Sequence, residues 1–190
     1  DSRYDREFLF LLTEMDPRIH LLVEHGGVAA LSTTDYLSDY FPNYWFINGR
    51  NAPDTMGEPF DPTLPTQPYN SMPRMHPGER LLLRVIGAGR DLHPFHHHGN
   101  HARVIAREGR LLRSGPSTGA DLSYEVFTVQ SFPGSTFDAL WEWTGKGLGW
   151  DIYGTKPHAC NPGANGFDPV TKEWCADHLK PIPVTLPARN

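Results

Sequence analysis

No run of apolar residues in this sequence comes near the roughly 20 needed to cross a membrane. The longest candidate, Phe8 to Leu12, is far too short. Basic residues form no run or stripe, and the net charge is a mild −5 spread along the chain, which excludes the footprint of a nucleic-acid binder. Cysteine is nearly absent: Cys160 and Cys175 are the only two, both in a Gly/Pro-rich stretch. A bridge between them would stabilise that stretch by roughly 3 kcal/mol in the chain-entropy model. It would also imply an oxidising compartment, the periplasm or the cell exterior; two free thiols are the other reading. An initiator methionine and a signal peptide are missing as well, so the expectation is a mature or processed chain, or a fragment of something larger. There is no G-x-S-x-G elbow, P-loop, C-x-x-C pair or internal repeat. Gly87-Ala88-Gly89 follows a strand but precedes no helix pattern, which removes the context a dinucleotide site needs.

What the chain does have is punctuation. Its 190 residues include 18 Gly and 18 Pro, and only 38% are hydrophobic, a profile that suits short strands and long loops better than a helical bundle. The length fits a single domain, residues 1–190. Strands are predicted at Glu7–Leu12, Tyr44–Ile47, Arg80–Ile86, Ala102–Ala106, Tyr124–Val129 and Thr136–Trp143. Asp16-Pro17 ends the first of them, and Asn48-Gly49, Pro77-Gly78 and Pro133-Gly134 supply turns. Residues 18–42 are ambiguous: Ile19, Leu21 and Val23 alternate, while Ser32 to Tyr40 reads as loop or short helix. Residues 51–77 carry seven prolines and read as a long surface excursion. Residues 151–190 form an irregular tail. Six or seven short strands separated by turns favour a β-sandwich or barrel.

Half of the ten histidines fall within nine residues, in Leu92-His93-Pro94-Phe95-His96-His97-His98-Gly99-Asn100-His101. In an extended segment alternate side chains share a face, so His96 and His98 project together and His97 points away. Pro94 fixes the local backbone and helps aim His93 differently from the pair. Neutral imidazole suits copper, zinc, iron and nickel, and an H-x-H pair can give two ligands to one metal or one to each of two. A purification-tag remnant would sit at a terminus, whereas this run lies between two strong strands.

His93-Pro94-Phe95-His96-His97-His98-Gly99 resembles the H-P-x-H-x-H-G motif of multicopper oxidases, the laccase and bilirubin-oxidase family. Four flanking segments resemble that family in the same order: Phe46-Ile47-Asn48-Gly49-Arg50, Gly78–Arg84, Val104–Gly109 and Pro133–Asp138. The matches cover roughly residues 44–150. The resemblance implies an all-β, cupredoxin-like Greek-key sandwich or barrel with long loops. It implies copper as the cofactor, with His93 on a type 1 copper, His96 on a type 2 copper and His98 on a type 3 copper. His97 stands at the variable position of the motif. Family members often carry a further histidine directly after the glycine; here Asn100 stands there and His101 follows. The implied partners are further cupredoxin domains or subunits that complete the copper site, with dioxygen and a reducing substrate.

The resemblance breaks at the thiolate. The family's later H-C-H-x-x-x-H segment follows a G-x-W strand, but Gly149-Trp150 leads here to Tyr153-Gly154-Thr155. His158 lies one place out of register, and Cys160 gives His-Ala-Cys instead of His-Cys-His. A blue copper needs that thiolate, so the type 1 site is expected to be lost. His20, His25, His76 and His178 lie in no H-x-H pair and read as ordinary histidines, and Trp141, Trp143 and Trp150 as core packing. Three functions remain: an oxidase domain contributing His96 and His98 to an interdomain copper site, a degenerate domain that only holds copper or structure, and a cupin-type metal enzyme using His96, His98 and Glu108.

Overall fold

The computed structural model describes residues 2–32 and 38–184. Among these residues nine strands carry the fold: β1 (Arg6–Met15), β2 (Tyr44–Ile47), β3 (Arg80–Gly87), β4 (His93–His96), β5 (Ala102–Arg107), β6 (Arg110–Leu111), β7 (Tyr124–Val126), β8 (Thr128–Ser131) and β9 (Thr136–Glu142). Seven of them form one mixed sheet in the order β2-β1-β3-β9-β5-β6, with β7 also paired to β5. Only β1 and β3 run parallel; the remaining pairs are antiparallel. β4 and β8 make a separate two-stranded sheet. The architecture is all-β and two-layered, as expected, and among the described residues the strands do not close into a barrel.

The layers meet through alternation. Leu81, Leu83 and Val85 of β3 turn into the same core as Phe10 and Leu12 of β1 and Phe137 and Ala139 of β9. From the small sheet, Val129 is buried in that core and Phe95 packs onto it, with ring centroids 5.0 Å from Phe10 and 5.9 Å from Phe137. Burying a ring of this size is worth about 2–3 kcal/mol, so Phe95 fixes the orientation of the histidine strand.

Two expectations need correction. The segment expected as one strand at Tyr124–Val129 is two, because β7 pairs with β5 while β8 crosses to β4. The ambiguous stretch after Asp16 opens with a helix, α1 (Pro17–Gly26). Asp16 is its N-cap, accepting from the Arg18 backbone, and Pro17 takes the first turn, where its missing N–H costs nothing. The Asp16 side chain is fully buried, ion-paired with Arg18 at 2.6 Å and hydrogen-bonded to the Phe41 backbone. The Arg18 hydrogen bonds outweigh burial and hold its carboxyl well below the usual range. The reading of Ser32 to Tyr40 falls in part on 33–37, and the end of the tail on 185–190, outside the described residues.

The Asn48-Gly49 turn is confirmed, with both residues at positive φ. Asn48 also ties β1 to the excursion: its Oδ1 accepts from Leu11 N, and its Nδ2 donates to the carbonyls of Leu9 and Asn70. Arg50, 1% exposed, donates to the carbonyls of Gln67, Asp54 and Glu58. One buried guanidinium therefore gathers three points of the Pro-rich excursion.

Candidate metal sites

The histidine strand follows the period of two. His93, Phe95 and His97 turn toward the protein; Pro94, His96 and His98 turn out and are exposed. His96 and His98 share the outer face with ring centroids 5.1 Å apart. His96 Nδ1 lies 2.7 Å from Thr128 Oγ1 of the paired strand. With Nδ1–H donated to that hydroxyl, Nε2 is left with its lone pair directed outward, the arrangement that orients a metal-binding imidazole.

His93 has a different fate. Its Nε2 sits 2.5 Å from Glu14 Oε2, with side chains 11% and 0% exposed. Glu14 also accepts from the backbone N–H groups of Arg90 and Asp91 and from the Tyr40 hydroxyl. Burial opposes its ionisation, but the hydrogen bonds from Arg90, His93, Asp91 and Tyr40 override it and hold the carboxyl below the usual range. As an ionised acceptor it takes its hydrogen bond from His93 Nε2–H. Tyr40 is pushed up to about 12 by burial and by the same carboxylate. The pocket leaves no room for a side chain at position 89, where a Cβ would run into the Glu14 carboxylate. Trp45 closes the other side, edge-on to His93 at 5.2 Å.

A type 1 copper does not fit this surrounding. The two cysteines are joined to each other, Cys160–Cys175 with Cα atoms 5.7 Å apart, and no free thiol exists to supply a thiolate. His93 is committed to a buried carboxylate. The half-site made by His96 and His98 does fit imidazole-bound copper: two exposed rings, side by side, with one nitrogen tethered.

The other members of the cluster stand apart. Both ring nitrogens of His97 are buried without a well-formed hydrogen bond, and burial holds its imidazole below the ordinary histidine range. It faces a cavity of about 430 Å³ walled by Phe95, His98, Leu81, Met75, Trp141 and Trp143. His101 packs on Phe127 with ring centroids 3.7 Å apart. Glu108 lies at the β5–β6 turn with positive φ and bonds the Thr136 backbone, away from His96 and His98. The cupin arrangement has no support in this placement.

A second constellation lies where sequence reading saw only remnants. Asp151, His158, Glu173 and His178 bring four ligand atoms within 4.8 Å of one another. His158 Nε2 is 3.1 Å from Glu173 Oε2 and 3.5 Å from Asp151 Oδ2. His178 Nδ1 is 2.7 Å from Glu173 Oε1 and 3.7 Å from Asp151 Oδ2. Both carboxylates are buried, Asp151 at 3% and Glu173 at 1% exposure. Asp151 is held by the backbone N–H groups of Tyr153 and Leu179. The disulfide closes the loop that carries Glu173, with His158 two residues before it and His178 three residues after it. The usable signal in the sequence was the pair of histidines flanking the two cysteines, together with a glutamate in a stretch otherwise rich in Gly and Pro.

No helix among the described residues is long and apolar enough to cross a membrane. No family model and no curated protein matches the chain. Solved structures do. A blue copper oxidase from Nitrosomonas europaea is similar with a TM-score of 0.47 and 20% identity, over 70% of this chain and 32% of the oxidase. The multicopper oxidase mgLAC gives 0.49 and 19% over 73% of this chain and 34% of its own. A laccase from Botrytis aclada gives 0.47 and 17% over 73% and 23%. The chain spans about a third or less of the length of these structures.

Proposed function

We propose that this chain is a cupredoxin-type domain of a multicopper oxidase, giving His96 and His98 to a copper site completed by another domain or subunit. The observation that carries the reading is the exposed pair at the end of β4, 5.1 Å apart and with His96 braced by Thr128. Two ligands on an open face are half of a site, because imidazole-bound copper needs at least one or two more. Copper held there would supply one-electron chemistry toward dioxygen at the expense of a reducing substrate. This chain's own part is narrower: it presents two nitrogens, keeps them oriented, and walls the inner side with Phe95. The motif order from Phe46 to Asp138 supports the family assignment. The disulfide supports an oxidising location, periplasmic or extracellular.

A second reading keeps the fold without redox chemistry, and the Glu14–His93 pair together with the missing thiolate favours it. Copper loading separates the two. The expected result is one equivalent of copper with a type 2 EPR signal and no intense blue-copper absorption, and loss of that equivalent in the variant carrying His96→Ala and His98→Ala. No copper uptake makes the chain a structural module. An intense blue band would mean that a thiolate reaches the metal, contrary to the bonded cysteines.

A further inference from the structure

We propose that Asp151, His158, Glu173 and His178 form a structural binding site for one divalent zinc-class cation, separate from the histidines of β4. Charge is the first argument. Two buried carboxylates carry a charge of −2, which is costly away from water unless positive charge, on a bound cation or on the two rings, is held between them. One divalent ion neutralises the set.

The tautomer of His158 is the second. Its Nδ1 lies 2.8 Å from the Lys156 carbonyl, an acceptor only, so Nδ1 carries the proton. In the neutral ring Nε2 then holds a lone pair, and that lone pair faces oxygens of Glu173 and Asp151 at 3.1 and 3.5 Å. Three acceptors converging on one point repel one another unless something electron-poor lies at the point. A ring N–H donated to a backbone carbonyl is also the outer contact that fixes metal-bound histidines.

Geometry is the third. Four ligands about 2.0–2.1 Å from a zinc ion stand about 3.3–3.4 Å apart in a tetrahedron. The four histidine–carboxylate separations run from 2.7 to 3.7 Å, with Glu173 turning Oε2 to His158 and Oε1 to His178, and one atom from each residue lies within 4.8 Å of the others, so the ligands need only draw in around an ion. Two nitrogens among the ligands disfavour calcium and magnesium, which take oxygen sets. Four protein ligands leave no open position, the mark of a structural rather than a catalytic zinc site. The disulfide brackets the same segment, and the Asp151 backbone donates to the Lys180 carbonyl at 2.8 Å. The ion would pin the C-terminal segment at both ends.

Cobalt(II) is the probe, on the protein carrying His96→Ala and His98→Ala so that the β4 pair takes no part. At pH 7.5 one equivalent should bind with the visible absorption of a four-coordinate site, and zinc should displace it. Adding His178→Ala should weaken cobalt binding by more than about 100-fold, since loss of mere outer-shell partners already costs 10–100-fold. His178 is partly exposed, so that variant should keep its fold, checked by circular dichroism; zinc-edge X-ray absorption on the unmutated protein gives a route that needs no variant. A first shell of two imidazoles and two oxygens supports the site. Absence of cobalt uptake, or uptake unchanged by His178→Ala, overturns it and leaves two imidazolium–carboxylate pairs. Neither outcome bears on copper at His96 and His98.

Discussion

The β4–β8 ribbon and the disulfide-closed segment use histidine in opposite ways. At the end of β4 the two exposed rings come from alternate positions, 96 and 98, and face solvent, with no carboxylate paired to them among the described residues. Around the disulfide the rings come from positions 158 and 178 and converge on two buried carboxylates. The first arrangement is easy to write into a sequence and incomplete in space; the second is scattered in sequence and complete in space. Exposure follows from this. A half-site must stay open for what completes it, whereas a full ligand set can be closed off. Within β4 itself the contrast recurs, since His93 faces inward and has its carboxylate partner in Glu14.

That contrast can be broken in steps. The largest effect should come from replacing both Cys160 and Cys175 by serine: roughly 3 kcal/mol less stability in denaturant melts, with cobalt affinity lost and copper loading of His96 and His98 kept. If copper loading falls equally, the two regions are one unit. Glu14→Ala should cost about 2–3 kcal/mol, because it leaves His93 and two backbone N–H groups without their acceptor in a buried place. Here the copper-bound EPR signal should weaken or broaden, since β4 is anchored at His93.

Asp16→Asn should cost about 1–2 kcal/mol at neutral pH through the weakened cap and ion pair. Its sign with pH is fixed by the depressed carboxyl of the folded state: the contribution is present above the unfolded value near 4 and lost as pH falls through the folded value. Melts of parent and variant should therefore converge in acid and diverge at pH 6. Smallest in stability are His96→Ala and His98→Ala, which should shift it by no more than about 0.5 kcal/mol because both rings are exposed. The same pair should lose the one equivalent of copper held by those rings. A stability loss well above that would make the rings structural.

Much of this was legible in the sequence for one reason. Strand position and side-chain direction follow from local alternation, and Leu81 to Ile86 or Phe95 between two histidines declare their faces without any tertiary knowledge. The outward pairing of His96 with His98 is the same inference. The split between β7 and β8 was not legible, because apolar alternation says which face is buried and not which neighbour supplies the hydrogen bonds. Helix α1 was signalled by Asp16-Pro17, yet those two residues equally end a strand, and in the structure they do both. Glu14 was hidden by its place at the end of an apolar strand, 79 residues from the histidine it holds. His178 was passed over because its partners lie at 151 and 173, in a stretch without regular periodicity; only closure of the chain brings them together.

Arg50 carries a mechanical consequence. Three carbonyls from residues 54, 58 and 67 converge on its buried guanidinium, and around it stand scattered bonds in place of a strand ladder: Asn70 donates to the Gly57 carbonyl, Ser71 to the Thr55 carbonyl and Arg74 to Glu58. The excursion therefore depends more on its buried centre than on its rim. Cut or lengthened among its exposed prolines, it should keep its shape; with Arg50 replaced by lysine, whose ammonium cannot fork toward three carbonyls, it should become sensitive to proteases along its whole length at once.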